Sequence, residues 1–428
     1  MKPLHTHLAA LFFLLTWGSL PAQVAPVWPV AAQDDSTCVY SMHGWFHGGS
    51  DFLTNGHFAT LQNGGYVAPA TKVSLQSSLG ESNLAGALYE FSWEGIHRRR
   101  TPFRDSLLSP TLRLGFKRME EATFSEEAAL LALYGNAPFE DQALALGHSH
   151  YRHLDFIHIK PGVMRAMERT NGTLFWGVNA GLNLGLRSMD VRLLEGQLYT
   201  APFGESVAFD NRIHFQRATG SRQIKGVGAG VDLILAWQSH RGSVFSVALA
   251  DIGFITWQRG YAYHRDTTMV WQGIVIDNIF KPGDSWGDGV GLDTLDALFF
   301  SYGDARRHTT STPFTLRADV AIPVSDFPLV VRGTFRYRPQ TRMKPLLDVS
   351  LDWRPAERLI VSRAHQFGGY GTYSTAFAIQ GRVGERLWLF FRATDIYRLV
   401  ASDLRANLSV QTGFLLRSSS INQRNHTL

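Results

Sequence analysis

The sequence predicts an all-β fold: a transmembrane antiparallel β-barrel of roughly 14 strands with short helical plug or loop segments, at ~25 residues per strand including its share of loops. Three observations predict it. The chain opens on an export signal, at least eight later segments alternate apolar and polar residues with a period of two, and no later run approaches the ~18 uninterrupted apolar residues of a spanning helix. A chain of this kind that enters a membrane must do so as strands.

The export signal occupies residues 1–22. Lys2 gives a charged start, Leu8 to Leu20 is an apolar run, and Ala22 offers a small residue at the cleavage point. The only cysteine, Cys38, follows Asp34-Asp35-Ser36-Thr37 rather than the apolar run, which argues against lipidation and leaves no internal disulfide. Residues 23–54 read as an N-terminal extension, 55–417 as the barrel and 418–428 as a polar tail.

Alternation carries the strand assignment. From Thr173 to Arg187 one face holds Leu174, Trp176, Val178, Ala180, Leu182, Leu184 and Leu186, and the other Phe175, Gly177, Asn179, Gly181, Asn183 and Gly185. Successive strand side chains point to opposite faces, so one side is apolar and the other polar or minimal. Val227 to Trp237 repeats the pattern against Gly226, Gly228, Gly230 and Asp232, and Ser239 to Ser243 turns into Phe245, Val247 and Leu249 as a hairpin. Further segments run over Phe314 to Ile322, Leu329 to Arg338, Leu347 to Trp353, Tyr373 to Ile379, Leu387 to Phe391 and Leu408 to Leu416. Many exceed the ~5 to 6 residues usual in globular strands. A soluble sandwich would alternate too, but the export signal, the strand length and the glycines on the polar faces favour the barrel. Trp237, Trp353, Tyr337 and Tyr373 fall at segment ends, where interfacial aromatic girdles belong.

Two islands read as helix. Thr123-Phe124-Ser125-Glu126 has the form of a capping box before Glu126 to Tyr134, closed by Gly135. Asp293 to Tyr302 is the second. Each is expected as a lumen plug or as a loop helix at the barrel mouth.

Charges on the barrel segments are expected to face inward, because a basic residue at the bilayer midplane costs about 2–4 kcal/mol. Arg317, Asp319, Arg332, Arg336, Arg338, Asp348 and Asp352 are therefore expected in the lumen, pairing across strands or setting ion preference. The 41 basic and 36 acidic residues give a net charge of +5, which calls for no nucleic-acid partner.

Other constellations are weaker. His148, His150, His153 and His158 crowd one stretch but lack an acidic or thiol partner at ligand spacing. Asp284, Asp288, Asp293 and Asp296 follow no EF-hand spacing. No nucleophile-elbow pattern joins a serine to a histidine, so neither enzyme chemistry, metal nor cofactor is expected.

Several strings carry a resemblance: Asn63-Gly64-Gly65 to Pro69-Ala70, Leu130 to Phe139, Arg392-Ala393-Thr394-Asp395-Ile396-Tyr397, and above all Asp251-Ile252-Gly253-Phe254-Ile255-Thr256-Trp257, whose most specific residues are Asp251, Gly253, Phe254 and Trp257. In this order they resemble a Bacteroidota-type outer-membrane barrel family of unassigned function, distantly similar to fatty-acid-transporter-like barrels and to barrels associated with type IX secretion. The resemblance implies a bacterial outer-membrane location, with lipid and envelope or secretion-system proteins as partners. The expected role is a sealed or plugged envelope scaffold. The alternatives are a passive channel or hydrophobic-solute transporter and, less favoured, a barrel-embedded hydrolase.

Overall fold

The computed structural model describes residues 38–54, 68–97, 107–272, 306–325, 327–395 and 405–418. The strands are β1 (Cys38–Thr54), β2 (Ser82–His97), β3 (Leu107–Ser125), β4 (Ala143–Ala145), β5 (Ser149–Arg169), β6 (Gly172–Thr200), β7 (Ser206–Ala218), β8 (Gly226–Ser239), β9 (Val244–Gln272), β10 (Arg306–Thr312), β11 (Thr315–Pro323), β12 (Leu329–Tyr337), β13 (Lys344–Ala356), β14 (Leu359–Gly369), β15 (Tyr373–Val383), β16 (Leu387–Thr394) and β17 (Arg405–Ser418). Two helices, α1 (Pro69–Ser78) and α2 (Glu126–Tyr134), accompany them.

Fourteen of these strands close one antiparallel ring. Going round, β1, β2, β3, β5, β6, β8, β9 and β11 to β17 pair in turn, and β17 pairs back onto β1 from Cys38↔Ser418 to Gly49↔Asn407. A closed ring leaves no strand edge unpaired. Strands β4, β7 and β10 extend the wall at one end only: β7 fits between the far halves of β6 and β9, so β7 and β8 lie end to end against both. At 29 residues each, β6 and β9 far exceed the 9–11 that cross a bilayer.

The ring begins earlier than the sequence predicts. Residues 38–54, expected as an extension, are β1, a full member of the wall. Aromatic and polar residues occur on both its faces, with Val39, Trp45 and His47 buried while Tyr40 stacks on Trp93 outside, and this mixture hides the alternation. The Asp251 to Trp257 string lies within β9. Helix α2 matches its predicted span, with Ser125 Oγ accepting from the Ala128 amide as its cap. It lies at the mouth, not in the lumen: Ala128 and Leu131 pack on Leu144, Leu198 and Val207, and Leu133 on the Phe52–Leu53–Leu75 cluster that α1 completes. The expected export signal at 1–22, the Asp293 to Tyr302 island, the Asp284 to Asp296 stretch and the tail after Ser418 lie outside the described residues.

Side chains confirm which face meets lipid. Large apolar residues stand exposed all round the outer wall, Leu235 at 52%, Leu351 at 47% and Phe377 at 51% among them. A soluble protein does not leave a continuous apolar band of that size in water. Trp237 and Trp353 edge the band near the short turns, and Tyr337 and Tyr373 edge it at the other end. Arginine at Leu351, near the middle of the band, is expected to cost about 2–4 kcal/mol. Urea titration of the refolded barrel in phospholipid vesicles measures this, and an unchanged midpoint would contradict a lipid-facing outer wall.

Candidate functional site: an ionic tier across the lumen

Inside the ring the side chains are stacked in three tiers. Toward the long-loop end Trp45, Leu88, Met119, Leu154, Phe156, Ile255, Trp257, Met343, Leu346 and Tyr370 form an apolar cluster. Toward the short turns Val39, Ile96, Met164 and Leu415 form a smaller one, flanked by Ile234 and Trp388. Between them lies a network of charges.

Its centre is Asp251, fully buried on β9. One carboxylate oxygen takes Lys160 Nζ at 2.7 Å and the other takes Lys117 Nζ. Lys160, also fully buried, reaches Asp232 of β8 at 2.6 Å, and Asp232 in turn holds Arg113 Nη1 at 2.9 Å and accepts the Asp251 amide at 2.7 Å. Glu90 of β2 accepts from Lys117 at 3.1 Å, Arg113 at 3.5 Å and Arg338 at 3.3 Å. Arg338 directly follows β12, which stands across the ring from β2, so this last pair bridges opposite walls.

Backbone irregularity puts Asp251 there. Ala250 and Asp251 on β9 face the single residue Asp232 on β8, a bulge at which the inward positions of β9 change from 244, 246 and 248 to 251, 253, 255 and 257. Asp251 sits at φ 64°, a left-handed conformation that aspartate tolerates better than most side chains. The Asp251 carbonyl accepts from Thr312 Oγ1 at 2.7 Å, where β10 gives way to β11. Farther along β9, Trp257 is fully buried, donates to Thr310 Oγ1 at 2.9 Å, and lies against Gly185 and Gly226, where an added Cβ would meet its ring at 2.5 and 2.8 Å.

The residues expected in the lumen from sequence are placed as follows. Arg317 pairs with Asp319 at 2.8 Å, Arg332 with Asp352 at 2.8 Å, and Asp348 with Arg392. Arg336 lies with its guanidinium 4.4 Å from the Trp45 ring centroid, and Arg338 at 5.1 Å from the same ring. Trp45 is held by its indole N–H donating to Ser409 Oγ at 2.9 Å. Arg317, Asp319, Arg336 and Arg338 line a cavity of about 180 Å³ together with Glu90, Arg113 and Asp232. The pairs at Asp348 and Asp352 lie outside that lining.

Lys117, Lys160, Arg113 and Glu90 are missing from the sequence reading, and Asp232 appears there only as a polar-face residue. Isolated charges on strands carry no spacing signal; the one available clue is that each interrupts an otherwise small or apolar inward set. The four clustered histidines do not converge. His148 occupies a left-handed turn at φ 58°, His150 and His158 are buried, and His153 lies between Glu120 and Asp155, whose other partner, Arg118, is partly exposed. Among the described residues no group of three His, Cys, Asp or Glu side chains is placed to hold a metal.

Three solved structures of similar shape are distant from the chain in sequence. The Ralstonia pickettii toluene transporter TbuX is 8% identical, with 90% of each chain covered and a TM-score of 0.42. The Pseudomonas putida toluene transporter TodX is 8% identical over 93% of this chain and 94% of its own, at 0.38. The translocator domain of the autotransporter NalP from Neisseria meningitidis is 8% identical over 91% of both, at 0.32. No curated protein shows detectable sequence similarity to the chain. A family model does match, over residues 115–377, and the chain belongs to that family of unknown function, DUF5723.

Proposed function

We propose that the protein is an outer-membrane barrel with a sealed lumen, serving as an envelope or secretion-associated scaffold rather than as a pore. One observation carries this reading: the ionic tier joins opposite walls of the ring and is flanked above and below by packed apolar side chains. A water-filled channel needs a continuous polar path, and both apolar clusters interrupt one. Passage of an apolar solute, the alternative, would have to cross buried charges that are costly to separate. The reading assigns no catalysis.

Orientation follows from loop length. Barrels of this type keep short turns on the periplasmic side and longer loops outside. The turns at 170–171, 240–243 and 357–358 mark one end, and helices α1 and α2 with the tall β6–β7–β9 wall mark the other. The long-loop end is thus the outward one and supplies the surface for envelope partners.

Liposome swelling tests the sealed lumen. Vesicles carrying the protein are expected to swell in isotonic arabinose no faster than empty vesicles. Swelling at the rate of an open porin would overturn the reading. For the scaffold role, crosslinking in intact cells is expected to trap a defined envelope protein through the β6–β7–β9 wall, and the absence of any crosslinked partner would count against it.

A further inference from the structure

The tier and its cavity are not electrically balanced. Arg113, Lys117, Lys160, Arg317, Arg336 and Arg338 stand against Glu90, Glu94, Asp232, Asp251 and Asp319. Of the six cations, five have a carboxylate within ion-pair distance; among the described residues Arg336 has none. What it has is the Trp45 ring, 4.4 Å from its guanidinium carbon, and Trp45 is itself fixed by Ser409. Stacking of this kind holds a guanidinium plane while leaving its N–H edge available.

That edge belongs to a side chain lining a cavity of about 180 Å³. At ~30 Å³ per water, the space suits about six waters or one small ion with a few of them. A second group there also lacks a partner: Ser41, 3% exposed, lines the same cavity and its Oγ makes no hydrogen bond. Buried polar groups are ordinarily satisfied, and the Ser41 hydroxyl and the free edge of Arg336 line one space large enough to hold a common partner.

We propose that this cavity is a binding site for a small oxyanion, a carboxylate or a phosphate, held by the guanidinium fork of Arg336 and completed by the Ser41 hydroxyl. Both anion types offer two oxygens at the spacing of the fork. Binding neutralises the one cation of this cavity that has no carboxylate within ion-pair distance among the described residues. The site goes beyond the sealed-scaffold reading and does not depend on it, since an anion can be held in a lumen that passes nothing.

Isothermal titration of the full chain in detergent, after prolonged incubation to allow slow entry, tests the proposal with sodium acetate, inorganic phosphate and sodium chloride as separate arms. Saturable binding of acetate or of phosphate, at one site per chain, is expected, and the arm that responds identifies the anion class. R336Q is expected to weaken it by at least about tenfold, R336K to weaken it less, and R358Q, at an exposed turn, to leave it unchanged. Heat-modifiable gel mobility reports whether each variant is folded. If R336Q does not fold, R336K decides the matter, and an affinity equal to wild type in that variant would overturn the site. So would binding of neither oxyanion, a chloride response as strong as theirs, or an R336Q protein that binds normally.

Discussion

Replacing Asp251 by asparagine is expected to cost the barrel about 3 kcal/mol or more of stability, the usual penalty for breaking a buried ion pair from one side. Asparagine keeps the side-chain shape and tolerates the left-handed backbone at φ 64°, so the loss isolates the charge. Lys117 retains Glu90 at 3.1 Å and Lys160 retains Asp232 at 2.6 Å, which holds the cost toward the lower end of the range. D251A should lose about 1–2 kcal/mol more, because alanine has no means of offsetting the left-handed strain. Urea unfolding in vesicles measures the series. A double-mutant cycle between D251N and K160M supplies the check: the two changes are expected to couple by more than about 1 kcal/mol, since the second removes a cation that the first leaves uncompensated. Simple additivity would show that the short contact between them contributes nothing.

Trp257→Ala is expected to be comparably destabilising, by about 3–5 kcal/mol, the range for a fully buried large aromatic cut back to a methyl. The indole fills space that Gly185 and Gly226 leave open and donates to Thr310. Its loss therefore creates a void and an unpaired hydroxyl together. Gly185→Ala approaches the same contact from the other side and is expected to cost about 1–3 kcal/mol by overpacking. The two kinds of variant separate packing from sealing. W257A removes one side chain from the long-loop apolar cluster and leaves the ionic tier and the short-turn cluster whole, so it should unfold at lower urea while its vesicles still exclude arabinose. If W257A alone admitted arabinose, the long-loop apolar cluster would be the sole barrier, and the ionic tier and the short-turn cluster would not close the lumen.

Much of the fold was legible because lipid imposes a simple rule. A strand facing hydrocarbon on one side must be apolar at every second position, and Thr173 to Arg187 or Leu347 to Trp353 follow that rule closely enough to fix which face is which. Where the lumen is itself apolar the rule fades. In β1 Trp45 packs inward while Phe46 faces outward, and in β2 Leu88 packs inward next to outward Tyr89, so both faces look alike and the sequence of the first strand carries no period-two signal. Helix α2 was legible from its cap, whereas α1 has no side-chain cap and starts from Pro69 alone.

The site was harder to read for a different reason. Asp251, Asp232, Lys160, Lys117 and Glu90 come from five strands spread over more than a third of the sequence, and only ring closure with a bulge at Ala250–Asp251 brings them together. No local spacing encodes that meeting. The string containing Asp251 and Trp257 stood out by resemblance, and its two most constrained residues prove to serve adjacent tiers of the lumen.

Planar-bilayer conductance tests the sealed lumen most directly. The wild-type barrel is expected to insert without producing a steady current, and a D232N/D251N variant, in which Lys160 loses both of its carboxylates and Lys117 one of its two, to show intermittent openings. A stable ohmic conductance from the wild-type protein would contradict the account.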